Sequence, residues 1–179
     1  MLNERLACGF MKHSKFCATV SLMNLIDISK EVAIEMFPSE TWTEEYKNVF
    51  VASSRVPKNS EQQKVFEKEL EMAKIASDNN HTVYLLPEIS TAKNPDAVMD
   101  GVATEFKAVT GGENAVSHRF RDGLHQGRNV YIKIDSHISE KRVRQILHGV
   151  LKDKSNSGLV YCYITDEKTM HYWRMDDLK

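Results

Sequence analysis

Two carboxylates and one lysine occupy matching positions on either side of a predicted β-turn. The dipeptide Asp100-Gly101 is a strong signal for a two-residue hairpin turn, and strand-forming residues flank it on both sides. In the register that this turn sets, Asp96 lies opposite Glu105. Since side chains alternate along a strand, Lys107 shares the face of the two carboxylates. The sequence therefore places two acids and an ammonium group together.

This grouping has a chemical interpretation and a plain structural one. Like charges that face each other across a strand pair destabilise it, so Asp96 and Glu105 are either solvated or neutralised by a cation. A divalent metal with oxygen ligands is the natural neutraliser. Lys107 would then hold a phosphate or the attacking water and stabilise the charge that develops during phosphodiester cleavage. The alternative is a solvated hairpin with an ordinary surface Glu/Lys pair.

A third carboxylate, Glu69, lies on the predicted helix that precedes the hairpin. Apolar residues stand one turn before it and one turn after it, namely Val65, Phe66, Met72 and Ala73. A charge that projects from an apolar stripe needs a partner, and the predicted metal would supply one. The alternative is a boundary residue whose carboxylate reaches solvent. We therefore predict Glu69, Asp96 and Glu105 as metal ligands, with Lys107 completing the catalytic group.

The helix predicted after the hairpin carries a row of cationic residues. His118, Arg121 and His125 stand at i, i+3 and i+7, which places them on one face. Such a face predicts phosphate contacts that position a nucleic acid without reading its bases. Gln126, at the end of this helix, is a fourth candidate for contact with the nucleic acid. The alternative is an ordinary solvated charged face.

The elements that position these residues follow from hydrophobic periodicity and turn signals. From residue 61 onward the predicted order is one helix, three strands, a helix, a strand, a helix and two strands. The predicted helices span 61–78, 113–126 and 140–152, and the predicted strands span 81–86, 96–99, 102–109, 129–134, 159–164 and 170–174. The fold class expected is α/β, with a mixed central sheet flanked by helices.

The residues before this region form a separate compositional zone. A helix is predicted over 20–36, and a second short helix is predicted after residue 39. The segment 56–60 has the composition of a linker. We therefore predict a short helical N-terminal extension over 1–57 and the main domain over 58–179.

Composition excludes several classes of protein. Hydrophobic residues make up 41% and charged residues 27% of the chain, which are values of a globular protein and not of a disordered one. A net charge of −1 excludes a uniformly basic nucleic-acid binder but is compatible with a locally basic groove. No apolar run approaches the roughly 18 residues that a membrane span needs, so we expect none.

The cysteines predict neither a disulfide framework nor a zinc site. Cys8, Cys17 and Cys162 are few and odd in number, which favours a reducing compartment or indifference to redox conditions. With His13, the first two supply three ligands, whereas structural zinc sites nearly always use about four.

The motif residues resemble a known nuclease superfamily. Pro95-Asp96 followed by Glu105-Phe106-Lys107 is similar to the PD-(D/E)xK motif of restriction-endonuclease-like nucleases. The surrounding order is a helix with Glu69, then 94–101, then a helix that leads into Gln126-Gly127-Arg128 and 129–135. In that order these segments resemble the C-terminal nuclease toxin domains of contact-dependent growth inhibition proteins, including those that cleave transfer RNA. The similarity runs from Glu61 to the C-terminus.

The resemblance implies a restriction-endonuclease-like fold and a metal-dependent nuclease toxin, with Glu69, Asp96 and Glu105 at the acidic positions. It favours transfer RNA over DNA as substrate and adds a cognate immunity protein as a partner. It also implies action in the cytoplasm, after delivery into a target cell by a route that this chain does not reveal. Oxygen ligands favour Mg²⁺ over Mn²⁺ or Zn²⁺. The basic catalytic residue is either Lys107 or Arg121.

Two other functions remain open at this point. One is a metal-independent ribonuclease of the barnase, colicin or RelE type, in which His118, Arg121 and His125 carry out acid-base catalysis. It predicts activity in the presence of a chelator. The other is a catalytically inactive module that binds nucleic acid or a protein, in which changes to the acidic residues alter no turnover.

Overall fold

The computed structural model describes residues 22–89 and 94–179. Its helices in these ranges are α1 (Leu22–Met36), α2 (Ser60–Asp78), α3 (Glu113–Gln126) and α4 (Glu140–Leu151), followed by a 3₁₀ helix over Met175–Leu178. The strands are β1 (Trp42–Tyr46), β2 (Val49–Ala52), β3 (Val83–Leu85), β4 (Ala97–Met99), β5 (Val102–Val109), β6 (Asn129–Ile134), β7 (Leu159–Ile164) and β8 (Thr169–Arg174). No helix within these ranges is long and apolar enough to cross a membrane.

The eight strands form one mixed sheet, in which they lie in the order of the chain. Strand β2 runs parallel to β3, and β5, β6 and β7 run parallel to one another. The remaining neighbours are antiparallel. Because α3 connects β5 to β6 and α4 connects β6 to β7, these parallel pairs have the helical crossovers that such pairs require. The predicted mixed sheet flanked by helices is confirmed.

Helices cover both faces of the sheet, as successive residues of β6 show. Val130, Ile132 and Ile134 pack with residues of α3 and α4 in one core cluster. Tyr131, whose side chain points the other way, packs with residues of α2 in a second cluster. Each fully buried aliphatic or aromatic side chain contributes about 1.5–3 kcal/mol relative to an exposed one. These two clusters hold α2 and α3 on opposite faces, with the β4–β5 hairpin between them.

The element order predicted from residue 61 onward is confirmed, and several boundaries coincide with the prediction. The predicted short helix after residue 39 is wrong. Residues there form the β1–β2 hairpin, in which Val49 and Val51 are buried and pair with β3. Pairing with a strand that lies far along the chain outweighs local helix propensity here. Asn48, with a positive φ of 56°, forms the turn.

The N-terminal predictions have mixed outcomes. The described residues of α1, Leu22–Met36, confirm the predicted helix over that range, and residues 20 and 21 lie outside the described residues. The boundary at residues 57 and 58 stays a prediction, although β2 on one side of it pairs with β3 on the other. Cys8, His13 and Cys17 lie outside the described residues. Cys162 is buried as a free thiol, and burial raises its pKa, so it is a poor nucleophile.

Candidate active site

The β4–β5 hairpin has the predicted register. Met99 pairs with Val102, and both turn residues have positive φ values, 49° at Asp100 and 81° at Gly101. This is the backbone of a tight hairpin turn, for which Asp-Gly is a preferred sequence. Asp100 also stabilises the turn from its side chain, because its Oδ1 atom accepts a hydrogen bond from the Thr82 N–H at 3.0 Å. The turn therefore fixes which residues face each other further along the two strands.

The two predicted acids and the lysine meet where β4 begins. Lys107 Nζ donates to Glu105 Oε2 at 3.2 Å. Asp96 Oδ2 accepts a hydrogen bond from the Phe106 N–H at 2.7 Å. Because Phe106 stands between Glu105 and Lys107 in the chain, the Asp96 carboxylate lies against β5 beside these two residues. Glu105 is only 4% exposed. The structure thus brings Asp96, Glu105 and Lys107 together as predicted from the hairpin.

Glu69 faces inward from α2, but its partner is an arginine. Arg55 Nη2 donates to Glu69 Oε2, and Arg55 Nη1 donates to the carbonyl oxygens of Leu86 and, at 3.3 Å, Asp96. The Arg55 side chain is 4% exposed and that of Glu69 is 14% exposed. One guanidinium therefore joins α2 to the segments at the end of β3 and the start of β4.

Sequence reasoning missed Arg55, although it is a central residue of this site. Its partners stand 14, 31 and 41 residues later in the chain. No periodicity or turn motif connects residues at such separations. The one available signal is a single arginine in the short segment before the predicted linker, and this signal is too common to be used alone.

The Asp96 carboxylate interacts electrostatically with both glutamates. Burial raises the pKa of Glu69, the Arg55 guanidinium opposes this, and the Asp96 carboxylate raises it further. Burial also raises the pKa of Glu105, where the Asp96 charge adds to the effect and Lys107 opposes it. Asp96 therefore repels both glutamates. Cations lower the free energy of such a group, and Arg55 and Lys107 supply two of them.

A cavity of about 460 Å³ opens beside this group. Residues of the 54–58 segment, of α2, of the ends of β3 and β4, of β5 and of α3 line it: Ser54, Arg55, Val56, Pro57, Lys58, Gln62, Phe66, Glu88, Ile89, Asn94, Asp96, Glu105, Lys107 and Gln126. Gln126, predicted as a contact residue, lies on its wall. Glu69 is not on the wall and contacts it through Arg55.

The three cationic residues of α3 are placed differently from Gln126. His118, Arg121 and His125 are exposed, and none of them lines the cavity. They remain on the solvent side of α3, because Val116, Phe120 and Leu124 of that helix pack into the core. Their side chains are therefore available to a partner in solvent and are not part of the cavity wall.

The donor set fits a hard divalent cation in part. Within 22–89 and 94–179, no group of three or more His, Cys, Asp or Glu side chains stands in a metal-binding arrangement. Asp96 and Glu105 both line the cavity and repel each other, and a divalent cation between them would relieve this repulsion. Glu69, the third predicted ligand, is instead paired with Arg55.

Part of the chain matches the model of a known protein family. Residues 93–169 match the model of the contact-dependent growth inhibition CdiA C-terminal domain. The matched segment includes Asp96, Glu105, Lys107 and the whole of α3. It excludes Arg55 and Glu69, so the match covers only part of the site.

A solved structure supports the fold more widely. A chain of the CdiA-CT/CdiI toxin and immunity complex from Burkholderia pseudomallei superposes with a TM-score of 0.55 and 16% sequence identity. The alignment covers 70% of this chain and 98% of that one. At this identity the likeness establishes a shared fold. No curated protein matches the chain.

Proposed function

We propose that this chain is a toxin that hydrolyses phosphodiester bonds, with the Asp96–Glu105 pair holding a divalent metal ion. One observation carries the proposal: two mutually repelling carboxylates and an ammonium group meet on the wall of a cavity, inside the segment that matches the CdiA C-terminal domain. Toxin domains of this kind are commonly nucleases, and the chain resembles those that cleave transfer RNA. We therefore propose transfer RNA as the substrate in preference to DNA.

In this proposal Asp96 and Glu105 are the metal ligands, and Mg²⁺ suits their hard oxygen atoms. When bound, the ion would supply Lewis acidity and lower the pKa of a water molecule. Glu69 supports this pair from behind, because Arg55 joins its carboxylate to the backbone carbonyl of Asp96. We retain Glu69 as part of the catalytic group in this positioning role. Its pairing with Arg55 argues against direct ligation in this arrangement.

Lys107 is the proposed charge stabiliser. Its ammonium group lies 3.2 Å from Glu105 Oε2 and on the cavity wall, so a phosphate held there would be within its reach. Arg121, the alternative, is exposed on α3 away from the cavity wall. Position therefore favours Lys107 for orienting the attacking water or neutralising the pentacoordinate phosphate. Arg121 is then a phosphate-binding residue outside the reaction centre.

Metal dependence is the first prediction. Purified chain incubated with total RNA and with plasmid DNA should cleave RNA in Mg²⁺ or Mn²⁺ and lose that activity in excess EDTA. Gel electrophoresis of the products measures it. RNA cleavage that persists in EDTA would instead favour the metal-independent ribonuclease with His118, Arg121 and His125. No cleavage of either polymer would favour the inactive binding module.

A second prediction concerns the outer face of α3. The change Arg121→Ala should reduce the slope of log affinity against log salt by about one unit and weaken binding to different RNA sequences equally, because one phosphate contact is lost. Fluorescence anisotropy of labelled RNA across a salt series measures this slope. Lys152→Ala, at an exposed position after α4, is the control. An unchanged slope in Arg121→Ala would remove this face from the binding surface.

The comparisons support a proposed setting for this activity. The family model describes a domain of contact-dependent growth inhibition, and the superposed chain comes from a complex of a toxin with an immunity protein. We propose that this chain likewise acts in the cytoplasm of a target cell and is neutralised by a cognate immunity protein. A candidate immunity protein should relieve toxicity when it is co-expressed with this chain, and it should block RNA cleavage in solution. Both results together would support this partner.

A further inference from the structure

Part of the cavity wall is apolar and offers no ligand to a metal ion or a phosphate. Beside the acidic group, its wall includes the apolar side chains of Val56, Pro57, Phe66 and Ile89. A metal ion and a phosphate need only charged and polar contacts. The volume of about 460 Å³ lies within the range of roughly 300–1,000 Å³ that is typical of sites for small organic groups. The wall is therefore suited to a flat, partly apolar group beside the phosphate.

Phe66 is the residue best placed to contact such a group. Its side chain is half-buried, because it packs against the core cluster beneath α2 and also lines the cavity. The core contacts restrain the ring, so it presents a fixed aromatic surface. Nucleobases stack on surfaces of this kind in single-stranded nucleic acid complexes, and stacking tolerates any base.

Two amide side chains on the same wall are held by the backbone. Gln62 Oε1 accepts a hydrogen bond from the Lys58 N–H at 2.8 Å, which leaves its NH₂ group as a donor. Asn94 Nδ2 donates to the carbonyl oxygens of Pro87 and Pro95, at 2.8 Å and 3.2 Å, which leaves its Oδ1 atom as an acceptor. A donor and an acceptor of fixed orientation are what the edge of a nucleobase needs.

We propose that this cavity is a nucleobase subsite, in which one unstacked base lies on Phe66 with its edge toward Gln62 and Asn94. The proposal rests on the proposed function, since the phosphate beside Asp96, Glu105 and Lys107 belongs to the same or the adjacent nucleotide. A base that is paired and stacked in a duplex cannot enter such a cavity. The substrate class is therefore a single-stranded or looped nucleotide, and the enzyme cuts next to the base that it binds.

The first test measures base binding without catalysis. A short single-stranded RNA that carries 2-aminopurine, titrated with the chain in EDTA, should show a saturable change in fluorescence. Phe66→Leu, which keeps an apolar side chain but removes the ring, should raise the dissociation constant obtained from this titration about tenfold, given the usual contribution of one base–aromatic stack. Val65→Ala, at the neighbouring exposed position outside the cavity wall, should behave as the unchanged chain does. An equal response in Phe66→Leu would overturn the subsite.

The second test separates this inference from the nuclease proposal. After the cut is mapped in an RNA oligonucleotide, abasic nucleotides replace the residues on either side of it. With the unchanged chain, one of these abasic substitutions should lower kcat/KM about tenfold relative to the parent RNA. With Phe66→Leu, the same abasic substitution should lower kcat/KM little further, because both changes remove the same contact. Equal cleavage of the abasic and parent RNA would overturn the subsite with the nuclease intact. A fluorescence response without any cleavage would overturn the nuclease and support the base site.

Discussion

Changing Glu105 to glutamine is expected to lower the rate of RNA cleavage at least about 100-fold while the chain remains folded. Glutamine keeps the size of the side chain and an oxygen that can accept the hydrogen bond from Lys107. It loses the negative charge that, in the proposed mechanism, holds a divalent ion beside Asp96. The measurement is kcat/KM on RNA in Mg²⁺, with circular dichroism to verify the fold.

The matched control for this change is Glu67→Gln. Glu67 is an exposed glutamate on α2 whose carboxylate accepts a hydrogen bond from Gln63 and lies outside the cavity wall. It should leave kcat/KM within about twofold, as surface substitutions away from a site usually do. Cleavage by Glu105→Gln at nearly the normal rate would remove Glu105 from the metal site and would contradict the mechanism proposed here.

The Glu105→Gln variant should be more stable than the unchanged chain at neutral pH. Burial and the Asp96 charge raise the pKa of Glu105 above its ordinary value of 4.5, so the folded state binds this proton more tightly than the unfolded state does. The free energy of unfolding therefore falls as the pH rises from below 4.5 through the raised pKa, and the penalty is complete above it. Glu105→Gln lacks this penalty. Its unfolding temperature at pH 7 should be higher.

Metal binding changes this comparison in a diagnostic way. An ion that binds only the folded state stabilises it by about 2.7 kcal/mol at a hundred times its dissociation constant. Added Mg²⁺ should therefore raise the unfolding temperature of the unchanged chain and have little effect on Glu105→Gln. The acidic pair would then cost stability in the free protein and recover it on binding, which is a usual relation between stability and activity at a functional site.

The central part of the site could be predicted because its geometry is local. A two-residue turn at Asp100-Gly101 determines the register of both strands, and a slip by one residue would move every side chain to the other face. The proximity of Asp96 to Glu105 therefore follows from the ten consecutive residues 96–105. Helical periodicity likewise gave the inward direction of Glu69, since it depends on neighbours within one turn.

The rest depends on contacts between distant segments. Arg55 forms an ion pair with the Glu69 carboxylate. The segment predicted as a short helix after residue 39 instead forms a hairpin whose strand β2 pairs with β3. Neither contact has a local signal, because Arg55 and Glu69 are 14 residues apart and the paired residues Val49 and Val83 lie still further apart in the chain. The cavity itself is also non-local, since Phe66 and Gln126 come from helices on opposite faces of the sheet. Local patterns thus predict the acidic pair but not the wall around it.

Changing Arg55 to methionine is expected to lower the free energy of unfolding at pH 7 by about 3–5 kcal/mol, the usual cost of removing one partner of a buried ion pair. Methionine fills part of the space but leaves the Glu69 carboxylate, 14% exposed, beside the charge of Asp96 without its cation. The carbonyl oxygens of Leu86 and Asp96 also lose a donor. Urea denaturation measures the change. Arg142→Met, which breaks an exposed pair with Glu113, is the control and should leave the free energy of unfolding nearly unchanged, because exposed ion pairs contribute little to stability.

The pH dependence and a double variant identify the cause of this loss. Without Arg55, the pKa of Glu69 rises further above 4.5, so the stability penalty of its charge grows as the pH rises above 4.5 and disappears as the pH falls below this ordinary value. The difference between Arg55→Met and the unchanged chain should therefore narrow in acid. Adding Glu69→Met should recover much of the loss at pH 7, because an apolar pair replaces an unpaired buried charge. A double variant as unstable as Arg55→Met alone would instead assign the role of Arg55 to the two carbonyl groups that join β3 to β4.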